Sequence, residues 1–156
     1  MTEAEIKTAC LELIETAEIA YVTSIGNHGY PYTRAMFNLR NKEQFPKQAI
    51  LFSDQGFDFM TLFTTNTSSL KMSQIVNNPK VSVYYCHPKK FQGLMLSGDI
   101  QIVDDSDLRH AVWNEGWERY YPNGPDDPDH TILRLNPKFA TGWYASSRFF
   151  FELGDE

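Results

Sequence analysis

The chain has 156 residues, 42% of them hydrophobic and 14% aromatic, a composition that excludes a disordered protein and predicts one domain over residues 1–156. Its formal net charge of −6 at pH 7 argues against nucleic acid as a partner. No run approaches the roughly 18 apolar residues of a membrane span, and Glu3 and Glu5 stand where a signal peptide would be basic, so we expect a cytoplasmic protein without a membrane partner.

The first element is predicted to be a helix over residues 3–17. Thr2 and Glu5 have the spacing of a capping box, and apolar residues follow at helical intervals. A strand over residues 19–25 and a second over residues 30–39 follow, joined by a glycine-containing turn. Strands joined this tightly pair antiparallel, which argues against a parallel βαβ fold.

The middle of the chain alternates between strand and helix patterns. Residues 40–56 are polar and interrupted by Pro46 and Gly56, which predicts a long loop with room for a helical turn. The next predicted elements are a strand over residues 57–65, a helix over residues 68–77, and strands over residues 81–86 and 91–103.

The last third begins with a predicted helix that Asp104 and Asp105 cap and that carries Trp113, Trp117 and Tyr120. After a proline-rich loop, residues 131–136 and 139–153 supply one or two closing strands. Six or seven mostly antiparallel strands with few helices predict a mainly β, α+β fold, and a small barrel is the architecture that suits them best.

Hydroxyl side chains cluster where the second helix begins. Thr65, Ser68 and Ser69 lie at its start, and Lys71 lies three residues past Ser68, on the same helical face. A helix N-terminus carries partial positive charge and free N–H donors. These four side chains are therefore candidates for holding a phosphate. The alternative is an ordinary capped helix with a solvated lysine, because capping side chains are common.

The second candidate is Arg34, on the second strand. Alternation places Arg34 and Met36 on one face of this strand, and Ala35 and Phe37 on the other. A buried arginine on a strand needs an anion or a carboxylate partner. The alternative is an exposed arginine or a structural ion pair.

No metal site and no catalytic residue are predicted. The four histidines are far apart in sequence and lack metal-binding spacing, and the serine pairs lack the glycines of a nucleophile elbow. The histidines are His28, His87, His110 and His130.

Four parts of the sequence carry a family resemblance: residues 34–37, residues 63–71, the pair Asn78-Pro79 before a strand, and the pair Trp143-Tyr144. Together they resemble the pyridoxamine 5′-phosphate oxidase-like superfamily of FMN-binding split barrels. The chain is most similar to its small general stress protein 26-like members. The resemblance implies a six- to seven-stranded antiparallel split β-barrel with flanking helices. It also implies FMN as cofactor and a homodimer with the site at its interface.

The spacing arguments and the resemblance together give one set of candidate cofactor-binding residues. They are Arg34, Ala35, Met36, Phe37, Thr64, Thr65, Ser68, Ser69, Lys71, Gln92 and Trp143. Leu70 stands where the oxidases carry a second phosphate-binding arginine. The Arg-x-His motif that grips pyridoxal in those enzymes is absent, since Arg148 is followed by two phenylalanines.

The expected function is that of an FMN-dependent oxidoreductase of unknown substrate that is not a true pyridoxamine phosphate oxidase. One alternative is a non-catalytic flavin-binding or storage protein of the stress response. Another is a split barrel that uses a deazaflavin or haem instead of FMN.

Overall fold

The computed structural model describes residues 1–53 and 59–154. Within these residues, the helices are α1 (Glu3–Thr16), α2 (Pro46–Ser53), α3 (Leu70–Asn77) and α4 (Ser106–Val112). The strands are β1 (Ile19–Ile25), β2 (Pro31–Phe37), β3 (Thr61–Asn66), β4 (Lys80–His87), β5 (Gln92–Val103), β6 (His130–Leu135), β7 (Phe139–Tyr144) and β8 (Ser147–Glu152). None of the described helices has both the length and the apolar character needed to cross a membrane.

All strand pairs are antiparallel, and the main sheet has the order β2-β1-β4-β5-β6-β3. The long strand β5 has two neighbours on one side, because Gly93–Ser97 pairs with β7 whereas Ile100–Val103 pairs with β6. Strand β8 pairs with β7. The sheet therefore curls into a half-barrel flanked by helices, which confirms the predicted mainly β split barrel.

The closing segment differs from the prediction. Residues 139–153 form two strands, since the chain turns at Ala145, which has a φ of 54°. This raises the number of strands in the described residues to eight, above the six or seven predicted. Helix α3 begins at Leu70, two residues later than the predicted start. Strand β3 begins at Thr61, and its predicted start at residue 57 lies outside the described residues.

Two helix predictions also need correction. The segment predicted as a loop contains α2, and Pro46 begins this helix because a proline at the first helical position breaks no intrahelical hydrogen bond. The predicted third helix ends at Val112. Trp117 begins a separate short 3-10 helix, Trp117–Arg119, so Trp113 and Trp117 do not share one helix.

The core has two parts, one inside the curled sheet and one beneath α2 and α4. In the first, Leu13 and Ile14 of α1 pack against inward-facing residues of β4 and β5 such as Val83 and Leu96. The side-chain amide of Asn38 donates to the carbonyls of Ile14 and Ala17 at 2.8 Å each. This contact fixes the end of β2 relative to the end of α1, and β2 carries part of the site described below.

Gly142 is the glycine most constrained by close approach. A Cβ at this position would lie far inside van der Waals contact of the Gly93 carbonyl on the neighbouring strand β5. We expect Gly142→Ala to lower the free energy of unfolding by about 1–3 kcal/mol, because backbone atoms must shift to relieve the overlap. Urea denaturation measures this, with Gly154→Ala as control, since no atom lies within 4 Å of a Cβ there. Equal stability of the two variants would contradict this packing.

Candidate functional site

An open cavity of about 340 Å³, here called the Lys71 cavity, lies beside the start of α3. Strands β2 and β3 are the two ends of the main strand order, so the cavity lies where the edges of the curled sheet face each other. Its lining residues come from β1, β2, β3, α3 and the segment after the 3-10 helix Trp117–Arg119. They are Ile19, Ala35, Met36, Phe37, Thr64, Thr65, Asn66, Lys71, Tyr120 and Tyr121.

The side chain of Lys71 turns back toward the start of α3. Its Nζ donates to Thr65 Oγ1 at 2.8 Å and to Ser69 Oγ at 3.3 Å. Ser69 occupies the N-cap position, but its side chain makes no capping hydrogen bond. A capped helix with a solvated lysine therefore does not describe this segment, because the ammonium is half-buried and the hydroxyls face it.

Ser68 does not join this group. Its backbone N–H and its hydroxyl donate to the Asp129 carboxylate at 2.8 and 3.2 Å. The amide of Asn66 donates to the same carboxylate at 2.7 Å. The hydrogen bonds from Asn66 and then from Ser68 lower the pKa of Asp129. The hydrogen-bond donors of Ser68 are therefore engaged by Asp129. Ser68 also does not line the Lys71 cavity.

Arg34 is half-buried on β2 and is held by neutral oxygens. Its guanidinium donates to Ser24 Oγ at 2.7 Å, to the Val22 carbonyl at 3.4 Å and to Gln74 Oε1 at 3.2 Å. Among the residues that the structure describes, neither Arg34 nor Lys71 has a carboxylate within 4.0 Å. The alternative of a structural ion pair at Arg34 therefore finds no support in this part of the chain.

The positive charge of Arg34 acts on Lys71. Burial lowers the pKa of Lys71, and the nearby positive charge of Arg34 lowers it further. Burial also lowers the pKa of Arg34. Two half-buried positive charges near each other, without a carboxylate in the described part of the chain, favour a bound anion, and the hydroxyls of Thr65 and Ser69 add polar contacts.

Aromatic side chains also line the cavity, and the sequence predicted only Phe37 among them. Phe37 stacks on Trp117 with ring centroids 5.8 Å apart and an angle of 8° between the rings, and it meets Tyr120 edge-on at 6.1 Å. Tyr121 packs against the buried His130 at 4.4 Å. Tyr120 and Tyr121 were not predicted, because they lie far from β2 and β3 in the chain.

Gln92 and Trp143 lie in a different place. They line a second cavity of about 440 Å³, here called the Trp143 cavity, at the start of β5 and the end of β7. The amide of Gln92 turns toward α1 and donates to the Ala9 carbonyl at 3.4 Å. Within one chain, the structure therefore gathers Ala35, Met36, Phe37, Thr64, Thr65 and Lys71 around one cavity and separates Gln92 and Trp143 from them.

The two cavities lie along one outer face of the sheet. Directly paired residues of antiparallel strands share a face, and the strand register places one row across six strands. This row is Ala35, Tyr21, Tyr84, Met95, Thr141 and Phe150. Several large apolar side chains on this face are exposed, among them Phe37 at 41%, Tyr84 at 43% and Phe150 at 63%. We call this surface the outer face.

Comparison with known proteins points to one family. The family model described as pyridoxamine 5′-phosphate oxidase like matches residues 21–153. The chain is 30% identical to a solved protein from Clostridium acetobutylicum that is related to general stress protein 26 of B. subtilis, over 97% of each chain and with a TM-score of 0.76. No curated protein matches the sequence significantly.

Two further solved structures share the fold at low identity. An FMN binding protein from Nostoc punctiforme is 14% identical, with 99% of this chain and 93% of that chain covered and a TM-score of 0.63. A heme binding protein from Mycobacterium smegmatis is 9% identical, with 97% of this chain and 60% of that chain covered and a TM-score of 0.66. Proteins of this fold are therefore named for different cofactors.

Proposed function

Because the chain belongs to the pyridoxamine 5′-phosphate oxidase-like family, we propose that it binds FMN in the Lys71 cavity. We propose that it acts there as an FMN-dependent oxidoreductase. The observation that carries the proposal is the pair of half-buried cations, Lys71 and Arg34, without a carboxylate partner in the described part of the chain. A phosphate monoester with close to two negative charges at neutral pH is a suitable counterion for them.

The remaining residues of the cavity also fit this cofactor. Thr65 and Ser69 place hydroxyls beside the Lys71 ammonium, where a phosphate oxygen would accept hydrogen bonds. Phe37, Met36 and Tyr120 provide apolar and aromatic surface for a flat ring. Bound FMN would supply the redox chemistry, and the chain would contribute binding, orientation and exclusion of water.

The cavity offers few groups for proton transfer. Among its lining residues, those that titrate are Lys71, Tyr120 and Tyr121, and no carboxylate or imidazole lies among them. Burial raises the pKa of Tyr121, which keeps this phenol neutral. The proposed rate enhancement therefore comes mainly from holding an electron donor or acceptor against the ring, which is the contribution of proximity and orientation.

We propose further that the protein is a homodimer that covers the outer face. A face of a small domain that exposes several large apolar side chains is typical of an interface. In such a dimer, the Trp143 cavity of one protomer would complete the Lys71 cavity of the other, so that Gln92 and Trp143 would reach the same cofactor as Lys71. This arrangement would account for the separation of these residues within one chain.

The experiment that tests the proposal is absorption spectroscopy of the purified protein under anaerobic conditions, followed by addition of NADH or NADPH. We expect flavin bands that bleach faster than those of free FMN with at least one donor. A Soret band would show that the protein binds haem instead of FMN. Flavin bands that bleach no faster than free FMN with either donor would favour the flavin-storage alternative.

The lowered pKa of Lys71 predicts that FMN affinity falls at alkaline pH. Only the protonated ammonium attracts the phosphate, so affinity is complete below the pKa of Lys71 and is lost as the pH rises through it. Since burial and the charge of Arg34 place this pKa below the ordinary lysine value, the loss begins at a lower pH than for an exposed lysine. Titrations between about pH 7 and 10 measure it.

The matched control is Lys71→Arg, because a guanidinium keeps its charge throughout this range. We expect the alkaline loss of affinity to be smaller in this variant than in the wild type. An identical decline in both proteins would assign the pH dependence to another group.

A further inference from the structure

Gln74 contacts Arg34 from the interior of the protein. It lies three residues past Lys71 on α3, hence on the same helical face, and only 2% of it is exposed. Its Oε1 accepts a hydrogen bond from Ser24 Oγ at 2.5 Å and another from the Arg34 guanidinium at 3.2 Å. Ser24 is itself completely buried on β1.

The chemistry of this contact is unusual for a partly buried arginine. A guanidinium can only donate, so the atom of Gln74 that faces it must be the amide oxygen. Buried arginines are ordinarily paired with a carboxylate, and glutamate, which has nearly the same shape as glutamine, would supply one. Here the neutral amide orients Arg34 and leaves its positive charge uncompensated.

The hydrogen-bond count is consistent with a second role for the guanidinium. Three of its donors are engaged, by Ser24, Val22 and Gln74, out of the five that an arginine has. These three contacts fix the position of the guanidinium. Its positive charge lowers the pKa of Lys71. Arg34 therefore adds positive potential to the Lys71 cavity, although it is not among the residues that line it.

We infer that Gln74 is a positioning residue that holds Arg34 in place without neutralising it, and that this sets the selectivity of the Lys71 cavity for ligands that carry a phosphate monoester. The inference rests on the proposed function, because it concerns the same cavity. A carboxylate at position 74 would pair with Arg34, cancel its charge and oppose the approach of an anion. An uncharged ligand of the same shape would be affected far less.

The test compares FMN with riboflavin, which has the same ring and ribityl chain but no phosphate. Dissociation constants for both are measured by fluorescence titration of the full chain in wild-type, Gln74→Glu and Gln74→Met proteins. For Gln74→Glu we expect FMN affinity to fall by about tenfold or more and riboflavin affinity to change less than about twofold. Gln74→Met keeps the charge of Arg34 and is expected to weaken FMN binding less than Gln74→Glu does.

Two results would overturn the inference, since both indicate a packing role. One is an equal loss of FMN and riboflavin affinity in Gln74→Glu, and the other is a loss with Gln74→Met as large as that with Gln74→Glu. If Gln74→Glu does not fold, Ser24→Asp places a carboxylate against the same guanidinium from β1 and is expected to reduce the preference for FMN in the same way. An unchanged preference in Ser24→Asp would also overturn the inference.

If the chain does not bind FMN as proposed, the titrations give a different result. In that case, the wild-type protein binds FMN no more tightly than riboflavin, or binds neither, before any variant is compared. A wild type that prefers FMN, together with a Gln74→Glu variant that keeps this preference in full, would overturn only the role of Gln74.

Discussion

Replacing Lys71 with alanine is expected to raise the dissociation constant for FMN by about 10- to 150-fold. The substitution removes a charge-assisted contact to the proposed phosphate, and such contacts contribute about 1.5–3 kcal/mol. The loss is expected because the Lys71 ammonium is already directed toward Thr65 and Ser69 and needs little rearrangement to bind. Flavin fluorescence titration of the folded variant measures the change.

Two controls accompany this measurement. Lys7→Ala removes a lysine from α1 that forms an ion pair with Glu3, away from the cavity, and should leave FMN affinity unchanged. Riboflavin, used as ligand with Lys71→Ala, should bind as it does to the wild type because it has no phosphate. An unchanged dissociation constant for FMN in a folded Lys71→Ala protein would refute the phosphate role.

The second large effect is expected at the outer face. Tyr21 lies on this face, between Ala35 on β2 and Tyr84 on β4, and it lines neither cavity named above. In the proposed homodimer, Tyr21→Arg buries an unpaired charge from each protomer, at a cost of about 3–5 kcal/mol per charge. We therefore expect the variant to be monomeric at micromolar concentration, with reduced FMN affinity as the site loses its second half.

Light scattering reports the mass, which for a monomer is the chain's own 18.0 kDa. Ile50→Arg on α2 is the matched control, since it also replaces an exposed apolar residue with arginine but lies outside the strands that form the outer face. We expect this control to remain dimeric. A monomeric wild type, or a Tyr21→Arg variant that keeps the wild-type mass, would contradict the proposed interface.

Local sequence patterns were sufficient for the fold class and for half of the proposed anion site. Alternation and turn residues predict most strands, because these signals depend on neighbours a few residues apart. The position of Lys71 followed from the same kind of argument, since helical side chains lean toward the N-terminus and the hydroxyls lie within one turn. The structure places the ammonium against Thr65 and Ser69, as this reasoning expects.

Contacts between distant parts of the chain account for what the sequence did not predict. Ser68 is engaged by Asp129, which lies 61 residues away, so no local pattern could show that its donors are occupied. Tyr120 and Tyr121 reach the cavity only because the segment before β6 folds back over β3. Gln74 likewise meets Arg34 from 40 residues away.

The separation of Gln92 and Trp143 from Lys71 has another physical origin. A sequence pattern assigns residues to a cofactor without saying whether one chain or two supply them. Strands β5 and β7 lie beyond β1 and β4 from the edge strand β2, so these two residues line a cavity of their own. Whether they serve the same cofactor depends on the dimer, which Tyr21→Arg tests.

The most direct test of the central claim is a calorimetric titration of the wild-type protein with FMN and, separately, with riboflavin. The pair of uncompensated cations at Lys71 and Arg34 predicts binding of one FMN per chain, with an affinity clearly higher than that for riboflavin. Absence of FMN binding, or equal affinity for the two flavins, would contradict the proposal that this cavity is a flavin phosphate site.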